Sequence, residues 1–87
     1  MPKIEIYTTS ICPFCTRAKH LLKSKGLKFD ETSVDFSSEK RQEMINRSGR
    51  RTVPQIWING RHVGGCDDLF ELEYNGQLDE WLNDQQP

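Results

Sequence analysis

Strand and helix patterns alternate along this chain of 87 residues, and their order limits the folds open to it. Apolar residues in the first segment favour a strand over residues 3–7, and residues 28–34 favour a second one. Between them, apolar residues at helical spacing predict a helix from Pro13 to Lys25, with Gly26 suited to its end. Two strands joined in this way form a parallel, right-handed β-α-β unit.

The second half of the chain continues with a helix, a strand hairpin and a last helix. The predicted elements are a helix over 38–47, strands over 55–58 and 61–63, and a helix over 67–82. Asn59-Gly60 is a strong two-residue hairpin turn, and Asn75-Gly76 is a candidate break in the last helix. We therefore predict an α/β fold of order β-α-β-α-β-β-α, in which helices flank a mixed four-stranded sheet. The length predicts that residues 1–87 form a single domain.

Composition narrows the classes of function. The chain has 12 basic and 13 acidic residues, so its net charge of −1 gives no general attraction to nucleic acid. No apolar run approaches the ~20 residues that span a membrane, and no secretory signal opens the sequence. We expect a soluble cytoplasmic protein with no membrane partner. The three cysteines make an odd count, unlike a secreted disulfide framework.

Two of these cysteines carry the clearest chemical signal. Cys12 and Cys15 are separated by Pro13 and Phe14, at the end of a predicted strand and the start of a helix. Thiols at this spacing can reach each other, and the unpaired N–H groups of a first helical turn stabilise a thiolate. We expect Cys12 to be the nucleophile and Cys15, one turn further in and more buried, to be the resolving thiol.

Three motifs together resemble those of dithiol glutaredoxins, in the family's order and spacing. They are Tyr7-Thr-Thr-Ser-Ile-Cys-Pro-Phe-Cys15, Thr52-Val-Pro54 and Gly64-Gly-Cys-Asp-Asp-Leu69. The resemblance covers nearly the whole chain. It implies a thioredoxin-like fold and a redox-active enzyme that uses glutathione to reduce protein disulfides and glutathione mixed disulfides. Its implied partners are glutathione and disulfide-containing or glutathionylated proteins, and the protein is expected to act as a monomer.

The resemblance also assigns a glutathione site. In similar proteins Pro54 is cis, and it brings the preceding backbone beside the active sulfur. Thr52 and Val53 belong to this segment, and Val53 would offer its N–H and C=O to the cysteinyl part of glutathione. From the sequence alone, an ordinary trans proline before a strand would be favoured.

The loop from Gly65 to Asp67 is expected to hold the γ-glutamyl end of glutathione. Backbone amides near Cys66 and Asp67 would bind its carboxylate, and the Asp67 side chain would bind its amino group. An alternative interpretation is a Gly-Gly turn with Asp67 as a helix cap, and both can hold together. Cys66 itself is either a small buried apolar residue or a regulatory thiol.

The other end of glutathione is a glycine carboxylate, for which Arg41 and Arg51 are the candidate cations. The alternative for each is an ordinary solvated surface residue. Many glutaredoxins carry a lysine where this chain has Thr9, so that cation is missing. The resemblance implies no metal and no bound cofactor, because glutathione acts as a cosubstrate.

Three other classes compete with this interpretation. A redoxin reduced directly by a flavoprotein would lack the Gly-Gly-Cys-Asp loop. Iron–sulfur relatives carry a single thiol in Cys-Gly-Phe-Ser, whereas Pro13 and Cys15 are present here. A zinc module would need a second pair of ligands.

Overall fold

The structure is a computed structural model, and it describes residues 2–84. Four strands and four helices follow one another in the predicted order. They are β1 (Ile4–Thr8), α1 (Pro13–Ser24), β2 (Asp30–Ser33), α2 (Ser38–Ser48), β3 (Gln55–Ile58), β4 (Arg61–Gly64), α3 (Cys66–Tyr74) and α4 (Leu78–Asn83). The predicted bounds differ from these by one residue in most elements, and β2 is shorter at both ends. The predicted break at Asn75-Gly76 is confirmed, since Gly76 adopts a φ of 72° between α3 and α4.

The strands form one mixed sheet in the order β2-β1-β3-β4. β1 and β2 are parallel, as the β-α-β rule predicts, and Ile6 lies opposite Glu31. β3 is antiparallel to both β1 and β4. At the hairpin Asn59 and Gly60 both have positive φ, at 50° and 82°, as this tight turn requires.

Alternation along β1 and β3 sends apolar side chains to both faces of the sheet. One face carries four fully or nearly fully buried isoleucines, on which α1, α3 and α4 pack. This cluster consists of Ile4, Ile6, Ala18, Leu22, Ile56, Ile58, Cys66, Leu69, Leu78 and Leu82. On the other face, α2 packs through Met44 against Tyr7, Val34 and Trp57. The prediction of a sheet with helices on both faces is therefore confirmed.

Both ends of α2 are capped by local interactions. Ser37 caps α2, because its Oγ accepts the N–H of Lys40 at 3.1 Å. The same helix ends where Gly49 adopts a φ of 73°. No helix within residues 2–84 has the length and apolar content to cross a membrane.

Candidate active site

Cys12 lies where the loop after β1 meets the first turn of α1. Its backbone is extended, with φ −150° and ψ 99°, and it is the N-cap residue of the helix. The cap is made by sulfur, since the N–H of Cys15 points at Cys12 Sγ over 3.0 Å. Pro13 occupies the first helical position, where a missing N–H costs no hydrogen bond. A helix amide thus faces the sulfur that we expect to be the nucleophile.

The second thiol lies deeper, as predicted. Cys15 is 1% exposed, whereas Cys12 is only partly buried. The two are joined in a disulfide, and their Cα atoms are 5.2 Å apart. Phe14 between them is 54% exposed, so an aromatic ring stands beside the pair at the surface. The Cα separation lies within the usual range for a disulfide, and an incoming sulfur can reach Cys12 more easily than Cys15.

The segment before β3 runs past this sulfur. The Val53–Pro54 peptide bond is cis, which confirms the expectation drawn from the resemblance. The carbonyl oxygen of Val53 lies 3.9 Å from Cys12 Sγ. Residues 52–54 thus form a wall of the site within contact distance of the reactive atom.

A groove of about 310 Å³ opens beside this wall. Its lining combines an aromatic ring, the segment before β3 and the start of α3. These residues are Phe14, Arg50, Thr52, Val53, Pro54, Gly65, Cys66, Asp67 and Asp68. Six of the eight residues expected to contact glutathione lie on this lining.

The start of α3 forms the opposite wall and is held by Asp68. Asp68 Oδ2 accepts the N–H of Gly65 at 2.9 Å and the guanidinium of Arg50 at 3.0 Å. The Gly65 amide, and then Arg50, lower the pKa of this carboxyl below its usual value, so it is ionised at neutral pH. Gly64 has a φ of 121°, and a Cβ there would collide with the Asp68 side chain. This position therefore requires glycine.

Cys66, at the start of α3, is 4% exposed and belongs to the core on the α1 side of the sheet. Burial raises the pKa of its thiol. Both observations favour the simpler interpretation of Cys66 as a small buried residue over that of a regulatory thiol.

The two predicted arginines lie away from the lining of the groove. Arg41 is in the first turn of α2 and is partly buried. Hydrogen bonds from Ser10 lower the pKa of Asp35, and the charge of Arg41 adds a smaller contribution. Arg51 is exposed in the loop before Thr52. The arginine on the lining is Arg50, which is already paired with Asp68. Across residues 2–84, no three His, Cys, Asp or Glu side chains lie close enough together to hold a metal ion.

Sequence reasoning missed Arg50, Asp68 and Gln55. The spacing of Asp68, three residues after Gly65, is that of the second residue of a capping box, and it could have been noticed. Gln55 was visible as one polar residue in an otherwise apolar strand. Arg50 gave no local signal, because a surface arginine in a loop is ordinary.

Comparison with known proteins places this geometry in a family. The family model described as Glutaredoxin matches residues 4–63. The chain is similar to Glutaredoxin 3 of Escherichia coli strain K12, at 56% identity over 82 residues, which cover 94% of this chain and 99% of that protein.

Solved structures agree with the sequence matches. The solution structure of glutaredoxin from Brucella melitensis has a TM-score of 0.85 at 49% identity, over 98% of this chain and 92% of that one. The crystal structure of a buckwheat glutaredoxin–glutathione complex also has a TM-score of 0.85, at 28% identity over 94% and 77% of the two chains. The chain therefore belongs to the glutaredoxin family, whose members are glutathione-dependent thiol–disulfide oxidoreductases.

Proposed function

We propose that Cys12 is the nucleophile of this enzyme, that Cys15 is its resolving thiol, and that glutathione is its cosubstrate. The observation that carries the proposal is the Cys15 amide at 3.0 Å from Cys12 Sγ, with the Cys15 side chain buried behind it. An N–H aimed at sulfur favours the thiolate over the thiol, because it is the charged form that gains most from the hydrogen bond. Cys12 is then ready to attack at neutral pH.

For a glutathione mixed disulfide, the Cys12 thiolate attacks the sulfur of the glutathione moiety. A bond forms between Cys12 and glutathione, and the substrate leaves as a thiolate that takes up a proton. A second glutathione, as its thiolate, then attacks the glutathione sulfur held on Cys12. Oxidised glutathione leaves and the Cys12 thiolate is restored, so two electrons pass from glutathione to the substrate.

For a protein disulfide, Cys12 first forms a mixed disulfide with one substrate sulfur and releases the other. The Cys15 thiolate then attacks Cys12 Sγ, which frees the substrate and leaves the Cys12–Cys15 disulfide. Two glutathione molecules reduce this disulfide and leave as oxidised glutathione. The Cα separation of 5.2 Å suits this closure, since it falls within the usual range for a disulfide.

The groove beside Cys12 is the proposed glutathione site. Val53 would pair its backbone with the cysteinyl part, as in the addition of a strand to a sheet edge. Thr52 and Pro54 hold that segment, and the amides that open α3 at Gly65, Cys66 and Asp67 would bind the γ-glutamyl carboxylate. The contact to Cys66 is through its backbone, which is consistent with its buried thiol.

Arg41 and Arg51 remain the proposed cations for the glycine carboxylate. Both are unlike Arg50 in that no salt bridge to a carboxylate within 4.0 Å is found for them among residues 2–84. The proposal requires one of these side chains to extend towards the end of a ligand that leaves the groove. The Asp67 carboxylate would bind the amino group at the other end.

We further propose a single-domain monomer that works in the cytoplasm. All elements of residues 2–84 pack on one sheet, which supports a single domain. A reaction driven by reduced glutathione needs a compartment that maintains it, which favours the cytoplasm. The proposed protein substrates are those with accessible disulfides or glutathionylated cysteines.

A coupled assay tests the roles of the two thiols. Oxidised glutathione formed from a small glutathione mixed disulfide is recycled by glutathione reductase, and the consumption of NADPH is followed. Cys12→Ser should lose all activity, because the attacking sulfur is gone. Cys15→Ser should keep most of this activity but lose most of the reduction of a protein disulfide, which needs the second thiol.

The two substrates act as mutual controls for each variant. If Cys15→Ser abolished both reactions while Cys12→Ser kept one, the roles of the thiols would be reversed. If the unchanged protein reduced the mixed disulfide only with a thioredoxin-type reductase and not with glutathione, the proposed cosubstrate would be wrong.

A further inference from the structure

Gln55 is a fully buried polar side chain in a strand of apolar residues. It is 0% exposed at the start of β3, directly after the cis Val53–Pro54 bond. Burying an amide costs free energy unless its hydrogen bonds are replaced. The partners of Gln55 therefore explain why the strand tolerates it.

Both the nitrogen and the oxygen of the Gln55 side-chain amide are hydrogen-bonded. Its Nε2 donates to the carbonyl oxygen of Thr52 at 3.0 Å and to Thr52 Oγ1 at 3.2 Å. Its Oε1 lies 2.8 Å from Nε2 of His62 on β4. The ring of His62 in turn stacks on Trp57, with 4.8 Å between ring centroids. A chain of contacts thus runs from the middle of the sheet to the segment beside Cys12.

The direction of every hydrogen bond in this chain can be derived. A backbone carbonyl only accepts, so the nitrogen of the Gln55 amide must face Thr52 and its oxygen must face His62. That oxygen also only accepts, so Nε2 of His62 must carry a hydrogen. Burial, and then the charge of Arg50, lower the pKa of His62, so the ring is neutral at pH 7 as its Nε2–H tautomer.

The hydrogen bond from Gln55 to the Thr52 carbonyl also fixes the direction of the Val53 N–H, which lies on the opposite side of the same peptide unit. The Thr52 carbonyl and the Val53 N–H belong to one planar trans peptide unit, and in such a unit they point in opposite directions. Gln55 holds the carbonyl from the interior, so the Val53 N–H is turned away from Gln55. Thr52 and Val53 both line the groove, and the Val53 carbonyl lies 3.9 Å from Cys12 Sγ.

We propose that Gln55, supported by His62, is a positioning residue that orients the Thr52–Val53 peptide for glutathione. This rests on the proposed function, in which the Val53 backbone pairs with the cysteinyl part of glutathione. Gln55 touches neither the ligand nor the reacting sulfur. Its effect is on the binding of the glutathione moiety and not on the reactivity of Cys12.

Gln55→Met is the sharpest test, because it keeps an unbranched side chain of similar length and removes all three hydrogen bonds. We expect the KM for a glutathione mixed disulfide to rise about three- to tenfold. This is the effect of losing one or two hydrogen bonds between the Val53 backbone and the glutathione moiety. The rate at which iodoacetamide alkylates Cys12 should stay within about twofold of the original, since the helix amide at Cys12 is untouched.

Asn59→Gly is the matched control for lost stability. It removes three hydrogen bonds at the far end of the hairpin, to Lys3, Trp81 and Leu82, and it is remote from the groove. Both variants are assayed at a temperature where each is fully folded. A raised KM in Gln55→Met alone supports positioning, whereas an equal rise in both, or an unchanged KM in a folded Gln55→Met, overturns it.

A second test uses the unchanged protein, so it does not depend on whether a variant folds. The ¹⁵N chemical shifts of the His62 ring at pH 7 distinguish the two neutral tautomers, and we expect the Nε2–H form. The Nδ1–H form would overturn the chain of contacts directly. Failure of the unchanged protein to use glutathione would instead overturn the proposed function, so the two failures are distinguishable.

Discussion

At the scale of single residues, the site separates two thiols by burial and by one hydrogen bond. Cys12 receives a helix amide at 3.0 Å and is partly exposed, whereas Cys15 is 1% exposed. The same backbone N–H that favours the Cys12 thiolate belongs to Cys15, so the CxxC spacing produces both effects at once. Position 9 holds an uncharged threonine, so Thr9 adds no cation to the stabilisation that the Cys15 amide gives.

Asp67 provides a prediction at this scale. It lies in the first turn of α3 and on the lining of the groove, and its side chain is exposed. Asp67→Ala should raise the KM for glutathione about tenfold, because a charge-assisted contact to the ligand's amino group is lost. Steady-state kinetics with glutathione as the varied substrate measure this effect.

Thermal unfolding of the same variant provides the control for folding. The cap of α3 comes from Asp68, so Asp67→Ala should leave the unfolding transition almost unchanged. An unaltered KM in a folded variant would mean that Asp67 only contributes charge to the start of the helix.

The residues of the site differ in how far sequence could predict them. The spacing of Cys12 and Cys15 is chemical in origin, so this pair could be identified from the residues alone. The Thr52–Pro54 segment could be identified only through the resemblance to dithiol glutaredoxins. Arg50 and Gln55 act through partners that are 18 and seven residues away in sequence, at Asp68 and His62. The hairpin predicted at Asn59-Gly60 makes β3 and β4 neighbours, but the side-chain pairing between them depends on a register that shifts between Ile56 and Trp57. The contact of Arg50 with Asp68 joins a loop to α3, and no local pattern encodes it.

At the scale of elements, α3 depends on a cap that comes from its own first turn. Gly65 has no side chain, so Asp68 reaches back to its N–H and also binds Arg50. The lowered pKa of this carboxyl means that it stabilises the folded state above its unfolded pKa of ~3.9 and loses that effect as pH falls through the folded value.

Asp68→Asn isolates the charge in this cap. Asparagine keeps an oxygen for the Gly65 N–H but removes the attraction to Arg50. We expect the variant to be less stable at pH 7 by a few tenths to about 1 kcal/mol, since the side chain is 40% exposed and solvent screens the pair. Urea unfolding at pH 7, 5 and 3 should find that the difference shrinks as pH falls. A difference that is independent of pH would contradict the assignment.

The type of each element was predictable, because periodicity and caps are local. The first and last residues of the strands were less predictable. β2 has the sequence Asp-Glu-Thr-Ser and is mostly exposed at the edge of the sheet, so the apolar residues that suggested a longer strand lie outside its ladder. One of them, Val34, still donates its N–H to the Thr8 carbonyl at 2.9 Å. The pattern thus located the pairing but overestimated the length.

At the scale of the whole molecule, the sheet order was the feature that sequence left open. The parallel β1–β2 pair and the hairpin follow from connection rules. The pairing of β1 with β3 joins Ile4 to Ile58, and this contact has no local signal. It nevertheless decides the site, because it brings the segment before β3 alongside the end of β1 and hence alongside Cys12.

Asn59 connects three distant parts of the chain and gives the last prediction. At the hairpin turn, its side chain accepts the Lys3 N–H at 2.9 Å and donates to the carbonyls of Trp81 and Leu82 at 3.0 and 3.2 Å. The helix α4 has six residues, too few to be stable without tertiary contacts. Asn59 therefore ties the N-terminal strand and the last helix to the turn.

Asn59→Gly keeps the positive φ of 50° accessible and removes only these side-chain bonds. We expect the free energy of unfolding to fall by about 1–3 kcal/mol, and the amides of α4 to exchange hydrogen faster than those of α1. Asn75→Gly, at an exposed position, is the control, because it makes the same change to the conformational entropy of the unfolded chain. If Asn59→Gly is no more destabilising than this control, the hydrogen bonds of Asn59 do not stabilise α4, and its other contacts are sufficient. Those contacts include the packing of Leu78 and Leu82 and the Arg61 guanidinium over the Trp81 ring.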